Sequence, residues 1–184
     1  LCSAVIYGPN AAGKTNIIAA METLKAIVSR GNILNSDSIF SPNAASTVLE
    51  LIPNSSVENV PTKFSISFIE NNFLIKYDLT IDLGSFLEVD YKRKILEESL
   101  TINEKNVYKR NEVELEISLP SCIKSFLNKG IKNISSTTEE IARNSLSETE
   151  LFLTNGFKTI FAQDLVSLIL NWFANKFIVI YRSD

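Results

Sequence analysis

Gly8, Pro9, Asn10, Ala11, Ala12, Gly13, Lys14 and Thr15 follow the apolar residues Ala4, Val5, Ile6 and Tyr7. That order of types spells a loop that cradles the phosphates of a nucleoside triphosphate. Two glycines at this spacing let the backbone wind tightly and turn successive N–H groups inward. The result is a concave anion site at the N-terminus of the following helix, where the dipole also favours negative charge. Lys14 then supplies a mobile cation for the β- and γ-phosphates and takes the catalytic role. The Thr15 hydroxyl is placed to ligate the Mg²⁺ that bridges them.

Such a loop works only between a strand and a helix. Residues 4–7 read as a short buried strand, and Ile17, Ile18, Met21, Leu24, Ile27 and Val28 recur at helical spacing behind the loop. Gly31 is predicted to close that helix as its first left-handed residue.

The string Tyr7-Gly8-Pro9-Asn10-Ala11-Ala12-Gly13-Lys14-Thr15-Asn16 resembles the bacterial ABC-type ATPases of the OLD-like and "AAA15" group, relatives of the SMC, RecF and RecN heads. Asn10 and Asn16 are the most telling letters of the match. The resemblance implies an α/β fold: a P-loop NTPase core with an antiparallel β-lobe and a C-terminal helical segment. It implies ATP and Mg²⁺ as cofactors, held by residues 8–16, and a head-to-head homodimer as the working unit. It also implies control of an attached or associated nuclease in bacterial defence against phage, in the cytoplasm. Two other readings stay open: a head serving DNA repair or chromosome handling, and a non-hydrolysing, nucleotide-sensing scaffold that holds a toxin partner inactive.

Other parts of such a head are not evident. The Ile95-Leu96-Glu97-Glu98 stretch has two acids but a short apolar lead in charged surroundings, and reads as an exposed strand face. Leu146-Ser147-Glu148-Thr149-Glu150 lacks the glycine of an ABC signature and reads as a capping box, with Ser147 as cap and Glu150 three residues on. Gln163, the single glutamine, falls inside a helical pattern and is predicted to face solvent rather than act as a Q-loop. No histidine occurs, so Ser/His and Cys/His nucleophile pairs are excluded. The chain starts at Leu1 and ends just behind the strand-like run Phe177-Ile178-Val179-Ile180-Tyr181. It therefore reads as part of a longer head, with its Walker B strand expected beyond Asp184.

Three stretches organise the 184 residues. Residues 1–31 carry the loop and its helix. Residues 32–118 hold an Asn- and Ser-rich insertion and then the β-lobe. There Phe64, Ile66 and Phe68, and after the Glu70-Asn71-Asn72 turn Phe73, Ile75, Tyr77, Leu79 and Ile81, alternate with polar neighbours as antiparallel strands do. Further strands are predicted over 91–102, 107–109 and 113–117. Residues 119–184 turn helical: helices are predicted at 121–130, from Ser136, at 147–156 and, longest, at 157–176. On the last, Ile160, Phe161, Leu165, Leu168, Ile169, Trp172 and Phe173 form one core-facing side.

Charge adds little. Against 18 Lys+Arg stand 21 Asp+Glu, a net charge of −3, so no global basic field announces nucleic acid. Lys92, Arg93, Lys94, Lys105, Lys109 and Arg110 make a local basic cluster that reads as a solvated face, and nucleic acid stays a possible partner only through the resemblance. Cys2 and Cys122 are too few for a disulfide framework or a zinc site, and no apolar run spans a membrane.

Overall fold

The computed structural model describes residues 7–9, 13–34, 51, 60–85, 92–127 and 136–180. Its fold is α/β, with one five-stranded antiparallel sheet in the order β1-β2-β3-β4-β5, a simple meander. The strands are β1 (Thr62–Glu70), β2 (Phe73–Asp82), β3 (Lys94–Ile102), β4 (Lys105–Arg110) and β5 (Leu115–Ile117). The helices are α1 (Lys14–Arg30), α2 (Ser136–Asn144), α3 (Phe157–Ile160) and α4 (Gln163–Asn171). Of the buried strand predicted over 4–7, residues 4–6 lie outside the described residues, as do 35–50 and 52–59 of the insertion and Cys2; Tyr7 itself is irregular and exposed.

Two tight turns set the register. Asn71 and Asn72, at φ 47° and 64°, are the left-handed pair that joins β1 to β2. Asn103 and Glu104, at 49° and 63°, do the same between β3 and β4. Asn103 also exchanges bonds with Leu74: its N–H donates to the Leu74 carbonyl (2.8 Å), and its Oδ1 accepts from the Leu74 N–H (2.9 Å). From these turns the alternation runs as read, and Ile75, Tyr77, Leu79 and Ile81 of β2 are fully buried.

One break in register changes a face. Ile81 opposes Ile95, but Thr80 opposes Glu97, which leaves Leu96 as the extra residue of a bulge on β3. Beyond it the buried positions are Glu98, Leu100 and Ile102 rather than the odd-numbered ones. The expected exposed face over 97–98 is therefore corrected: Glu97 is exposed, whereas Glu98 is fully buried.

The C-terminal part departs furthest from expectation. The predicted helix over 147–156 is a series of turns, because much of its backbone from Ser147 to Leu153 is engaged by tertiary partners. The helix expected over 157–176 is broken at Phe161, which is extended (φ −103°, ψ 147°) and bridges to Leu127. There the Ala162 N–H donates to the Phe126 carbonyl instead of continuing the helix. Residues 121–126 form a 3₁₀ turn. The strand expected over 177–181 is absent among the described residues. Residues 178–180 are irregular, with Ile178 and Ile180 exposed, and no described strand lies beside them to complete a ladder.

The core-facing reading of the aromatic residues holds despite the break. Trp172 stacks on Phe68 of β1 with ring centroids 3.8 Å apart, and Phe173 meets Tyr77 and Phe68 edge-on. A π-helical turn over Trp172–Lys176 makes this possible by rotating both rings onto the sheet. The Phe177 N–H closes it on the Trp172 carbonyl at 2.8 Å.

Gly31 ends α1 as predicted, at φ 77° with its N–H donating to the Ile27 carbonyl. A Cβ there would lie 2.6 Å from the Thr154 hydroxyl and 3.1 Å from its Cβ. Gly31→Ala is expected to cost about 1–3 kcal/mol, from left-handed strain together with displacement of Thr154. A urea unfolding midpoint unchanged from wild type would contradict that packing.

Candidate functional site

Gly13 is the N-cap of α1 and adopts φ 82°, ψ 9°, a left-handed conformation that glycine reaches without strain. No side chain caps the helix, and its first turn holds no acidic residue. The first-turn N–H groups and the positive end of the dipole therefore converge on one spot, with no acidic residue of that turn to neutralise them. The Asn16 N–H turns back, to the Gly13 carbonyl at 3.0 Å.

Lys14 crosses that spot. Its Nζ donates to the carbonyls of Gly8 (2.7 Å) and Pro9 (2.6 Å), drawing the start of the loop against the helix. Thr15 and Asn16 are exposed beside it, as are Tyr7, Gly8 and Pro9. Asn10, Ala11 and Ala12 lie outside the described residues. A glycine-built helix end, an ammonium and an exposed hydroxyl at consecutive positions fit the phosphates of a nucleotide. For a divalent cation the fit is narrower. Thr15 offers one oxygen, and among the described residues no three His, Cys, Asp or Glu side chains gather as a metal site. Mg²⁺ would arrive with the phosphates and rest largely on them.

The far end of α1 is held by a second cluster. The Gly31 carbonyl accepts from Leu151 N–H (2.8 Å), Ile33 N–H donates to the Thr149 carbonyl (3.0 Å), and Asn32 bridges to Glu150. Residues 147–153 are in turn fixed by Glu98 and Arg110, which oppose each other across β3 and β4. Glu98 Oε2 accepts from Arg110 Nε (3.0 Å) and Phe152 N–H (2.8 Å). Its Oε1 accepts from Tyr77 OH (3.0 Å), Tyr108 OH (2.8 Å) and Leu153 N–H (3.0 Å). Arg110 completes the knot by donating to the Ser147 carbonyl from Nη1 (2.9 Å) and to the Glu150 carbonyl from Nη2 (3.1 Å). Burying such a pair is tolerable only because so many of its polar atoms are met.

Burial, then the Glu98 charge, raises both phenol pKa values well above their ordinary position near 10. The unfolded phenols lose their protons first as pH rises past 10, so the native state then holds more protons. The stabilisation is thus complete below pH 10 and drains above it. Each phenol is expected to steepen the alkaline fall by up to about 1.4 kcal/mol per pH unit. Unfolding midpoints between pH 9 and 11.5 should flatten in Tyr77→Phe and Tyr108→Phe; identical slopes would contradict this origin.

The other sequence candidates scatter. The basic cluster is not one face: Arg110 is buried on Glu98, Arg93 donates to the Leu51 carbonyl, and Lys94 pairs with Glu112 at 3.0 Å. Lys92, Lys105 and Lys109 remain exposed. Gln163 is exposed at the first position of α4 and bonds Ser167 (3.2 Å). The capping-box reading is corrected: Ser147 Oγ does accept from the Thr149 and Glu150 N–H groups, but no helix follows. The Glu98–Arg110 knot escaped the sequence reading. A signal existed, since Tyr77, Leu100, Tyr108 and Arg110 all belong to inward-facing strand positions. The Leu96 bulge hides which of Glu97 and Glu98 joins them.

No helix among the described residues is long and apolar enough to cross a membrane. The family model described as "AAA domain, putative AbiEii toxin, Type IV TA system" matches residues 3–155, most of the chain. No curated protein and no solved structure matches it.

Proposed function

The chain belongs to that AAA-domain family, a family of nucleotide-binding P-loop ATPase domains, and on this premise we propose that residues 8–16 bind Mg·ATP and that the assembled protein hydrolyses it. One observation carries the reading: α1 begins with an uncapped, acid-free turn behind a left-handed glycine, and Lys14 reaches across it to the loop. Backbone N–H groups of 10–13 and of the first turn, Pro9 having none to give, would hold the phosphates. Lys14 would neutralise the β- and γ-oxygens, and Thr15 would give the Mg²⁺ its protein hydroxyl. Asn16, exposed one position further, would add a side chain to the same shell.

By resemblance to ABC-type heads, two copies close over the nucleotide, and this ATP-gated dimer controls an attached or associated effector, a nuclease, in defence against phage. Residues 1–31, 32–118 and 119–184 would then be the loop unit, the β-lobe with its insertion, and the helical segment of one ATPase domain. The test is Mg·ATP turnover across a protein-concentration series, with Lys14→Ala alongside. Turnover that rises more than linearly and vanishes in the variant supports a head-to-head ATPase; turnover linear in concentration speaks against the dimer.

A second reading draws on the family description, which names a toxin of a type IV toxin–antitoxin system. Glu98 is committed to Arg110 and two phenols, and no described acid cluster supplies a metal shell. A domain that senses ATP and restrains a toxin without hydrolysing nucleotide fits those facts. Tight Mg·ATP binding with no turnover at any concentration selects it.

A further inference from the structure

We infer that Glu98 and Arg110 are positioning residues for the phosphate-binding loop, acting as a strap that lets the β-lobe hold the distal end of α1. The inference rests on the nucleotide-binding reading above and assigns that site a support roughly a helix length away. Neither residue can touch nucleotide: both are buried in the sheet, whereas Lys14 opens a 17-residue helix that is about 25 Å long.

The chain of contacts is continuous. Arg110 donates to the carbonyls of Ser147 and Glu150, and Glu98 accepts from the N–H groups of Phe152 and Leu153. Both ends of the segment are thereby tied to β3 and β4. The Glu148 carbonyl adds a third tie, accepting from the Ile95 N–H at 2.7 Å. The same seven residues meet α1 where it stops: Thr149 on Ile33, Glu150 opposite Asn32, and Leu151 on Gly31. Thr154 Oγ1 reaches the Gly31 carbonyl as well, at 3.4 Å.

The helix needs such an anchor. Its buried residues are Leu24, Ile27 and Val28, all in the distal half, while Ile17 and Met21 nearer the loop are each 45% exposed. Among the described residues, therefore, α1 is fixed at its far end and projects the loop from there. A packed helix behaves as a rod, so a small rotation at Gly31 becomes a larger displacement at Gly13. The phosphate site depends on N–H groups aimed at one point, and such displacement weakens it. Linkage demands the converse: nucleotide bound at the loop must favour the strapped arrangement.

The experiment compares wild type, Glu98→Gln, Arg110→Lys and a control in the isolated chain. Glu98→Gln places an N–H₂ among donors and removes the charge. Arg110→Lys keeps the charge but replaces the fork that reaches three acceptors with a single ammonium, and serves if Glu98→Gln does not fold. The control is Ile75→Ala or Ile75→Val, whichever matches the strap variant's loss of stability; Ile75 is buried further along the sheet, opposite Ile102. Strap variants should bind Mg·ATP about tenfold more weakly, within the usual range of site coupling. They should also exchange the Ile33 and Leu151 amides faster. The matched control should move neither. Equal nucleotide affinity in the strap variants and wild type, or an equal loss in the control, would overturn the inference. Faster exchange at Ile33 and Leu151 with no nucleotide binding in any protein, wild type included, would overturn the positioning role through the nucleotide reading itself, leaving only a structural tie.

Discussion

Replacing Arg110 with methionine is expected to destabilise the fold by about 3–5 kcal/mol, the range for removing one partner of a buried ion pair. The side chain is 1% exposed and Glu98 is 0% exposed, so no solvent is at hand to compensate the orphaned carboxylate. Two backbone carbonyls, of Ser147 and Glu150, lose their donors in the same step. Replacing both charges usually restores much of such a loss, because a well-packed apolar pair is often as stable as a buried salt bridge. Here it should not. Glu98 serves Tyr77, Tyr108, Phe152 and Leu153 besides Arg110, and Glu98→Met with Arg110→Met would strand all four donors. Urea unfolding of both single variants and the double one decides it. A double variant recovering to within about 1 kcal/mol of wild type would show that the ion pair alone matters.

Lys14→Ala should lower affinity for Mg·ATP by about a hundredfold or more, the equivalent of roughly 2.7 kcal/mol from one charged contact. The fold should barely respond. Among the described residues, Lys14 Nζ bonds to the exposed carbonyls of Gly8 and Pro9, and exposed contacts of this kind contribute within about 0.5 kcal/mol. The ammonium would exchange those carbonyls for phosphate oxygens, a favourable trade of neutral for charged acceptors. Lys14→Arg should fail nearly as badly, because the broad planar fork does not replace a point charge threaded through a tight loop. Calorimetric titration with Mg·ATP, beside a thermal unfolding curve, separates binding from folding. Undiminished affinity in a folded Lys14→Ala protein would sink the assignment of residues 8–16.

What could be read ahead of the structure followed from local rules. The left-handed Gly13, the helix behind it and the Gly31 stop depend on residues a few positions apart, whose backbone preferences are set by their own side chains or by the lack of one. The paired asparagines at 71–72 belong to the same class: two residues that tolerate positive φ, between alternating strands, leave little choice but a hairpin. Even the core-facing role of Trp172 and Phe173 survived the loss of the helix expected to carry them.

The failures share the opposite property. Residues 147–156 have a capping serine and good helix formers, yet many of their N–H and C=O groups bond to Glu98, Arg110, Gly31 and Ile33, at least 37 residues distant in the chain. Phe161 breaks a helix because Phe126 and Leu127 present a backbone edge beside it. Residues 177–180 have strand composition but no described strand to pair with. By itself, then, the sequence determined the start of α1 behind Gly13, its end at Gly31 and the alternation of the hairpins, since each is an energy minimum of a short segment. Only the tertiary structure decided which of two adjacent glutamates is buried, where the long helix breaks and what ties down the far end of α1. Those outcomes hinge on one bulged residue, Leu96, and on hydrogen-bond partners that meet only when the chain has folded.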